Sequence, residues 1–281
     1  MVEKTTEQQT RVAFLGPEGT FSQSAVVKHF GASITGISLA TIEEVFSEIE
    51  IKAADFGVVP VENSTEGLVS NTLDMFLMSS LCICGEVEVP IRQYLMSQMD
   101  TLEEINKVYS HPQSLAQCRA WLAASLPMAE IVPVSSNAAG ASQASVEKGA
   151  AAIAGDAAAN VYGLNILGSD IQDQANNATR FLVIGSDPCE VSGNDKTTIL
   201  LSASGTKGPG ALLNLLKPLA KHNINMTRIQ SRPSRKRNWD YVFFVDIDGH
   251  RTEKNIMSAL KEVEGYSSLF RVLGSYPKAN Y

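Results

Sequence analysis

Three short polar clusters stand at the edges of apolar runs in this sequence. They are Glu62-Asn63-Ser64-Thr65 with Gly67 close behind, Ser110-His111-Pro112-Gln113 with Gln117 one helical turn on, and Asn177-Ala178-Thr179-Arg180-Phe181, which opens the apolar run to Ile184. Their side chains suit polar chemistry on a small molecule. Hydroxyls and amides hold and polarise oxygens, a guanidinium presents a planar fork to a carboxylate, and a carboxyl, if buried, can keep a proton to donate. Each cluster alone also has a plainer reading. Ser110 or Asn63 fits a helix cap, His111 before a proline fits a satisfied loop histidine, and Arg180 fits a surface ion pair.

The elements that must position these clusters alternate. The apolar run from Val12 to Leu15 reads as a buried strand closed by Gly16-Pro17. Thr20 or Ser22 can cap the helix that follows, with Ala25, Val26 and Phe30 on its inner side. Phe56 to Val61 is a second buried strand, and helix and strand candidates continue to alternate up to Ile184. The pattern argues for α/β with mostly parallel strands, in which ligands bind beyond the strands' C-terminal ends. A turn-rich stretch from Asp187 to Asp195 reads as a linker. Beyond it come a strand at Thr197–Ser202, a helix at Gly210–His222 with Leu212, Leu215, Leu216 and Leu219 on one face, strands at Met226–Ser231 and Tyr241–Ile247, a helix at Thr252–Val263 and a strand at Leu269–Leu273. The order βαββαβ is the ferredoxin-like arrangement. Residues 1–10 read as a disordered tail.

Composition narrows the function classes. With 281 residues the chain can bury a core without disulfides or metal. The net charge of −7 argues against a nucleic-acid binder, although a locally positive pocket can still take an anion. Cys82, Cys84, Cys118 and Cys189 form no C-x-x-C pair and have no histidine cluster beside them, so they read as reduced thiols of a cytoplasmic protein rather than metal ligands. No apolar stretch is long enough for a membrane span.

Together the clusters resemble the prephenate dehydratase family. The matching segments are GPEGTFS at 16–22, PVENSTEG at 60–67, SHPQSLAQC at 110–118, YGLNIL at 162–167 and NATRF at 177–181, with GALL at 210–213 and QSRP at 230–233 similar to the phenylalanine-binding motifs of an ACT domain. The resemblance implies a two-lobed, periplasmic-binding-protein-like catalytic region at 11–188 and a ferredoxin-like ACT regulatory domain at 196–277. It implies a carbon–oxygen lyase that turns prephenate into phenylpyruvate in phenylalanine biosynthesis, a reaction that needs no metal or organic cofactor. Thr179 would be central, with Glu62, Asn63, Ser110 and Gln117 as catalytic partners. Ser64, Gln113, Asn177, Arg180 and Phe181, and more weakly Thr20 and Phe21, would contact substrate. Arg180 would hold a substrate carboxylate. Thr179 is too weak an acid to be the ultimate proton source and would polarise or relay; Glu62, if buried, would supply the proton.

The resemblance also implies feedback by L-phenylalanine, bound by Gly210, Ala211, Leu212, Leu213, Asn225, Gln230, Ser231, Arg232 and Pro233, where the turn Gly208-Pro209-Gly210 opens a helix. It implies a homodimer or homotetramer. Gln230 stands where the second motif usually has an acid, which leaves the strength and sign of control open. About ten residues precede the catalytic region, too few for the chorismate mutase domain of some relatives, so a monofunctional enzyme is expected. Two rival readings remain: arogenate dehydratase, which shares the motifs, and a non-catalytic small-molecule sensor.

Overall fold

The computed structural model of the protein describes residues 9–203, 209–234 and 241–279. Most of the expected N-terminal tail, and Gly208 of the phenylalanine turn, lie outside the described residues.

The first lobe is built from β1 (Arg11–Leu15), α1 (Phe21–Phe30), β2 (Thr35–Leu39), α2 (Ile42–Glu50), β3 (Phe56–Asn63), β4 (Gly67–Leu68), α3 (Ser70–Met78) and β5 (Cys82–Pro90). β1 pairs in parallel with both β2 and β3, and its apolar run Val12-Ala13-Phe14 is buried. α2 shows how local sequence fixes an element. The Thr41 hydroxyl accepts the Glu44 amide as an N-cap, and Ile42, Val45, Phe46 and Ile49 bury one face at helical spacing.

The second lobe follows: β6 (Tyr94–Ser97), β7 (Lys107–Ser110), α4 (Pro112–Gln117), α5 (Arg119–Ser125), β8 (Glu130–Pro133), α6 (Asn137–Ala144), β9 (Ala150–Ala154), α7 (Asp156–Tyr162) and β10 (Asn165–Gly168). Its sheet order is β10-β6-β9-β7-β8. β7 is parallel to β8 and β9, while β6 is antiparallel to β9 and β10, so the expected parallel character fails at β6 and β10. β11 (Ala178–Gly185) then returns to the first sheet, whose order is β2-β1-β3-β11-β5 with β4 on β3. The chain thus crosses between the lobes twice, the two-lobed arrangement of a periplasmic-binding-protein-like fold. The crossings are tied together: the Ile91 amide donates to Asn177 O at 2.8 Å and the Ile171 amide to Gln93 O at 3.0 Å.

Small residues let α6 approach its sheet closely. A Cβ added at Gly140 would lie 2.9 Å from the Tyr109 carbonyl oxygen.

The C-terminal elements are β12 (Asp195–Ser202), α8 (Ala211–Lys221), β13 (Met226–Pro233), β14 (Tyr241–Asp248), α9 (Lys254–Tyr266) and β15 (Leu269–Pro277). They form an antiparallel sheet of order β13-β14-β12-β15, the expected βαββαβ unit. Leu215 and Leu219 of α8 and Ile256, Leu260 and Val263 of α9 pack with Ile199, Leu201, Val245 and Ile247 of the sheet. This C-terminal unit takes in more chain than those elements. By compactness the chain divides into residues 1–77 with 87–181, and residues 78–86 with 182–281. In the latter unit Arg271 Nη2 donates to Ser79 O at 2.8 Å, a Cβ at Gly274 would collide with Ile83 O, and Lys196 Nζ lies 2.7 and 2.8 Å from the two oxygens of Glu86.

Candidate active site

The site starts from the end of β3. Asn63 projects its amide onto the segment entering β11, where Nδ2 donates to Asn177 Oδ1 at 2.8 Å and to Thr179 Oγ1 at 2.9 Å. The Asn63 Oδ1 in turn accepts the amides of Thr65 and Glu66 at 2.9 and 3.0 Å, closing the turn into β4. Ser64 clamps the same place: its amide donates to Ala178 O, and its Oγ accepts the Ala178 amide at 3.0 Å. Thr179 accepts from Asn63, so its own proton is left to donate elsewhere.

Asn63, Asn177 and Thr179 line a cavity of about 340 Å³ together with Thr20, Phe21, Gln113 and Gln117. The second lobe supplies Gln113 and Gln117 from α4. Gln117 Nε2 donates to Glu66 Oε1 at 3.1 Å and its Oε1 accepts from Gln93 Nε2 at 3.4 Å. The N-caps of four helices line the same cavity: Thr20 of α1, His111 of α4, Ser136 of α6 and Gly155 of α7. α1 has no side-chain cap, whereas in α7 the Asp156 side chain accepts the Ala157 amide at 2.9 Å and Gly155 O accepts the Ala158 amide at 3.0 Å. Among the described residues no Lys or Arg lines the cavity, and a helix N-terminus is a place where backbone amides favour an anion. Apolar surface from Leu15, Phe21, Val69 and Ile91 completes it, a lining suited to a ring carrying anionic groups. Gly155 is small because Phe21 needs the space; a Cβ there would lie 2.9 Å from the Phe21 ring.

Several expected residues fall elsewhere. Glu62 and Arg180 do not line the cavity. Successive residues of a strand face opposite sides, so placing Asn63 and Thr179 towards the cavity turns Glu62 and Arg180 away. There they meet, Arg180 Nη2 lying 3.5 Å from Glu62 Oε2. The condition set for Glu62 as proton source, burial, is not met: its side chain is 38% exposed, against 15% for Arg180. Phe181 is packed in the core. Ser110 is fully buried behind the cavity wall, its hydroxyl 2.6 Å from Ile153 O and 3.0 Å from Asn137 Oδ1, and it is Asn137 that reaches the cavity.

Sequence reading missed Gln93, Asn137, Ser136, Gly155 and Glu66. Of these, Glu66 stood inside the matched PVENSTEG segment, and its polar neighbours were the available signal. Gln93 is only 1% exposed and its amide nitrogen also lies 3.2 Å from Ser114 Oγ, so it fixes α4 from the first crossing.

In the C-terminal unit Gly210 is the N-cap of α8 at φ 86°, without a side-chain cap. Ala211 and Leu212 are half-buried and Leu213 is exposed. Gln230, Ser231, Arg232 and Pro233 lie on β13, at an edge of the sheet order. Asn225 Nδ2 donates to Asp248 at 2.8 Å, and Gln230 Nε2 to Ser231 O at 2.9 Å. Among the described residues no helix is long and apolar enough to cross a membrane, and no cluster of His, Cys, Asp and Glu is arranged to hold a metal ion.

Comparison with known proteins bears on this geometry. The family model described as prephenate dehydratase matches residues 12–189, and that of the ACT domain matches residues 198–265. The chain is 50% identical over 274 residues to the bifunctional chorismate mutase/prephenate dehydratase of Stutzerimonas stutzeri, covering 97% of this chain and 74% of that protein. It is 48% identical over 273 residues to the protein of the same description from Aquifex aeolicus, covering 97% and 75%. The structure of prephenate dehydratase in complex with L-Phe from Arthrobacter aurescens superposes with a TM-score of 0.87 at 35% identity, covering 95% of this chain and 90% of that one. A family match over more than half the chain, with relatives near half-identical along its length, leaves one conclusion: the chain belongs to the prephenate dehydratase family.

Proposed function

We propose that this chain converts prephenate into phenylpyruvate, releasing carbon dioxide and water, as a carbon–oxygen lyase of phenylalanine biosynthesis. The observation that carries the reading is the Asn63–Thr179 hydrogen bond inside a cavity lined by helix N-caps. Prephenate brings two carboxylates, an apolar ring and a ring hydroxyl. The helix N-termini receive the carboxylates, Phe21 and Ile91 meet the ring, and the Thr179 hydroxyl, oriented by Asn63, donates to the leaving oxygen. Aromatisation of the ring drives the reaction, so the enzyme has mainly to orient the substrate and stabilise departing charge. Thr20, Phe21, Asn63, Gln113, Gln117, Asn177 and Thr179 contact substrate in this scheme. Ser64, Ser110, Glu62, Arg180 and Phe181 act by positioning them.

In the same reading residues 11–188 are the catalytic domain and 196–277 the ACT domain. Phenylalanine binds at the start of α8 beside the Gln230–Pro233 stretch and regulates the enzyme through paired ACT domains of a homodimer or homotetramer. The four free thiols accord with a cytoplasmic enzyme. The deciding experiment is an assay for phenylpyruvate formed from prephenate, with and without phenylalanine. No product from folded protein sinks the reading, and chorismate consumption by the purified chain sinks its monofunctional part.

A further inference from the structure

The departing hydroxyl needs a proton, and Glu66 is the one carboxyl among the described residues lining the cavity. Its place is built rather than incidental. Asn63, which orients Thr179 through Nδ2, fixes the Glu66 backbone amide through Oδ1 at 3.0 Å. From the other lobe, Gln117 Nε2 holds the Glu66 carboxyl at 3.1 Å, and Gln117 is itself held by the buried Gln93. Glu66 also lines an adjoining cavity of about 370 Å³ shared with Asp173, Gln172 and Gln174, and it is exposed, so it has a route to solvent protons.

We propose that Glu66 is the general acid that protonates the leaving ring hydroxyl. The proposal rests on the dehydratase reading above and names the proton donor of that site. The bond from the ring to its carboxylate breaks, and its electron pair becomes a ring double bond as the carbon–oxygen bond breaks. The oxygen leaves with the Glu66 proton as water, carbon dioxide departs, and the Glu66 carboxylate regains a proton from solvent. The other titratable groups around Glu66 are His111 at the start of α4 and Asp173 on the second crossing, and no Lys or Arg is among the described lining residues. Glu62, on the same hairpin, is turned to Arg180.

The test is the pH dependence of kcat and KM for prephenate with the wild type, Glu66→Gln and Glu66→Asp. The expected wild-type kcat falls as pH rises through the titration of a carboxyl in the complex. Glu66→Gln should lower kcat about 10²–10⁴-fold, remove that limb and leave KM within about threefold, while Glu66→Asp keeps a limb at reduced kcat. A Glu66→Gln enzyme with near wild-type kcat, or one that keeps the limb, overturns the proposal. If Glu66→Gln does not fold, the wild-type profile decides, and a kcat flat from about pH 5 to 9 overturns it. Wild-type protein that makes no phenylpyruvate overturns the dehydratase reading as well, so the two failures are distinct.

Discussion

Asn63 donates to Thr179 Oγ1 at 2.9 Å, and this fixes which way the threonine hydroxyl can act: its oxygen is already an acceptor, so its proton points to another partner. Thr179→Ala removes a donor that matters most as negative charge develops on the leaving oxygen. Turnover should fall about 10²–10³-fold with little change in KM, as for loss of one oriented donor. Steady-state kinetics with prephenate check this, and a near-normal kcat would remove Thr179 from the mechanism.

Arg180→Ala should behave differently. The side chain pairs with Glu62 on the face of the strand away from the cavity. Loss of a partly exposed pair should cost about 1 kcal/mol or less, seen in urea unfolding, with KM changed by less than about threefold. A tenfold or larger rise in KM would mean that the guanidinium does reach a substrate carboxylate.

The ion pair between Lys196 and Glu86 is of another kind. Both side chains are buried, 8% and 1% exposed, and Glu86 Oε1 also accepts the Ala279 amide at 3.1 Å. Lys196→Met leaves a buried carboxylate without its charge partner and should cost about 3–5 kcal/mol. Glu86→Gln combined with Lys196→Met should recover part of that loss, because the uncompensated charge is gone. Denaturant midpoints of the single and double variants measure both effects.

Asp195 gives a pH prediction. Burial pushes its carboxyl up, but hydrogen bonds from the Ser192 hydroxyl and the Gly193 and Ser192 amides outweigh it and hold the group below its ordinary value. A lowered folded-state value means that the carboxylate stabilises the fold above the unfolded-state titration. The contribution is lost as pH falls through the folded-state one. Asp195→Asn should therefore be less stable than wild type at pH 7, and the gap should close as the pH is lowered below that of an ordinary aspartate. Urea midpoints across this range test the sign.

Much of this was legible in the sequence, for identifiable reasons. α8 could be read because Leu215 and Leu219 bury one face at helical spacing, and β1 because Val12 to Phe14 is a continuous buried run. The placement of Arg180 was also legible in principle, since strand alternation puts it opposite Thr179. Gln93 was not legible. It is one amide before an apolar run, and only the tertiary fold carries it to Gln117. The convergence of Thr20, His111, Ser136 and Gly155 is likewise a product of two sheets meeting, which no local pattern encodes.

In the proposed scheme the site's attraction for anions comes from helix ends, and this bears on how the site can change. Peptide dipoles neither titrate near neutrality nor vanish when one side chain is exchanged. Affinity for the substrate is then spread over backbone that point mutation cannot delete, and is best eroded by re-aiming a helix. Gly140, which lets α6 lie against Tyr109, holds such an aim. Exchanging side chains inside such a cavity would then alter the choice among related anions while the grip on anions as a class persists.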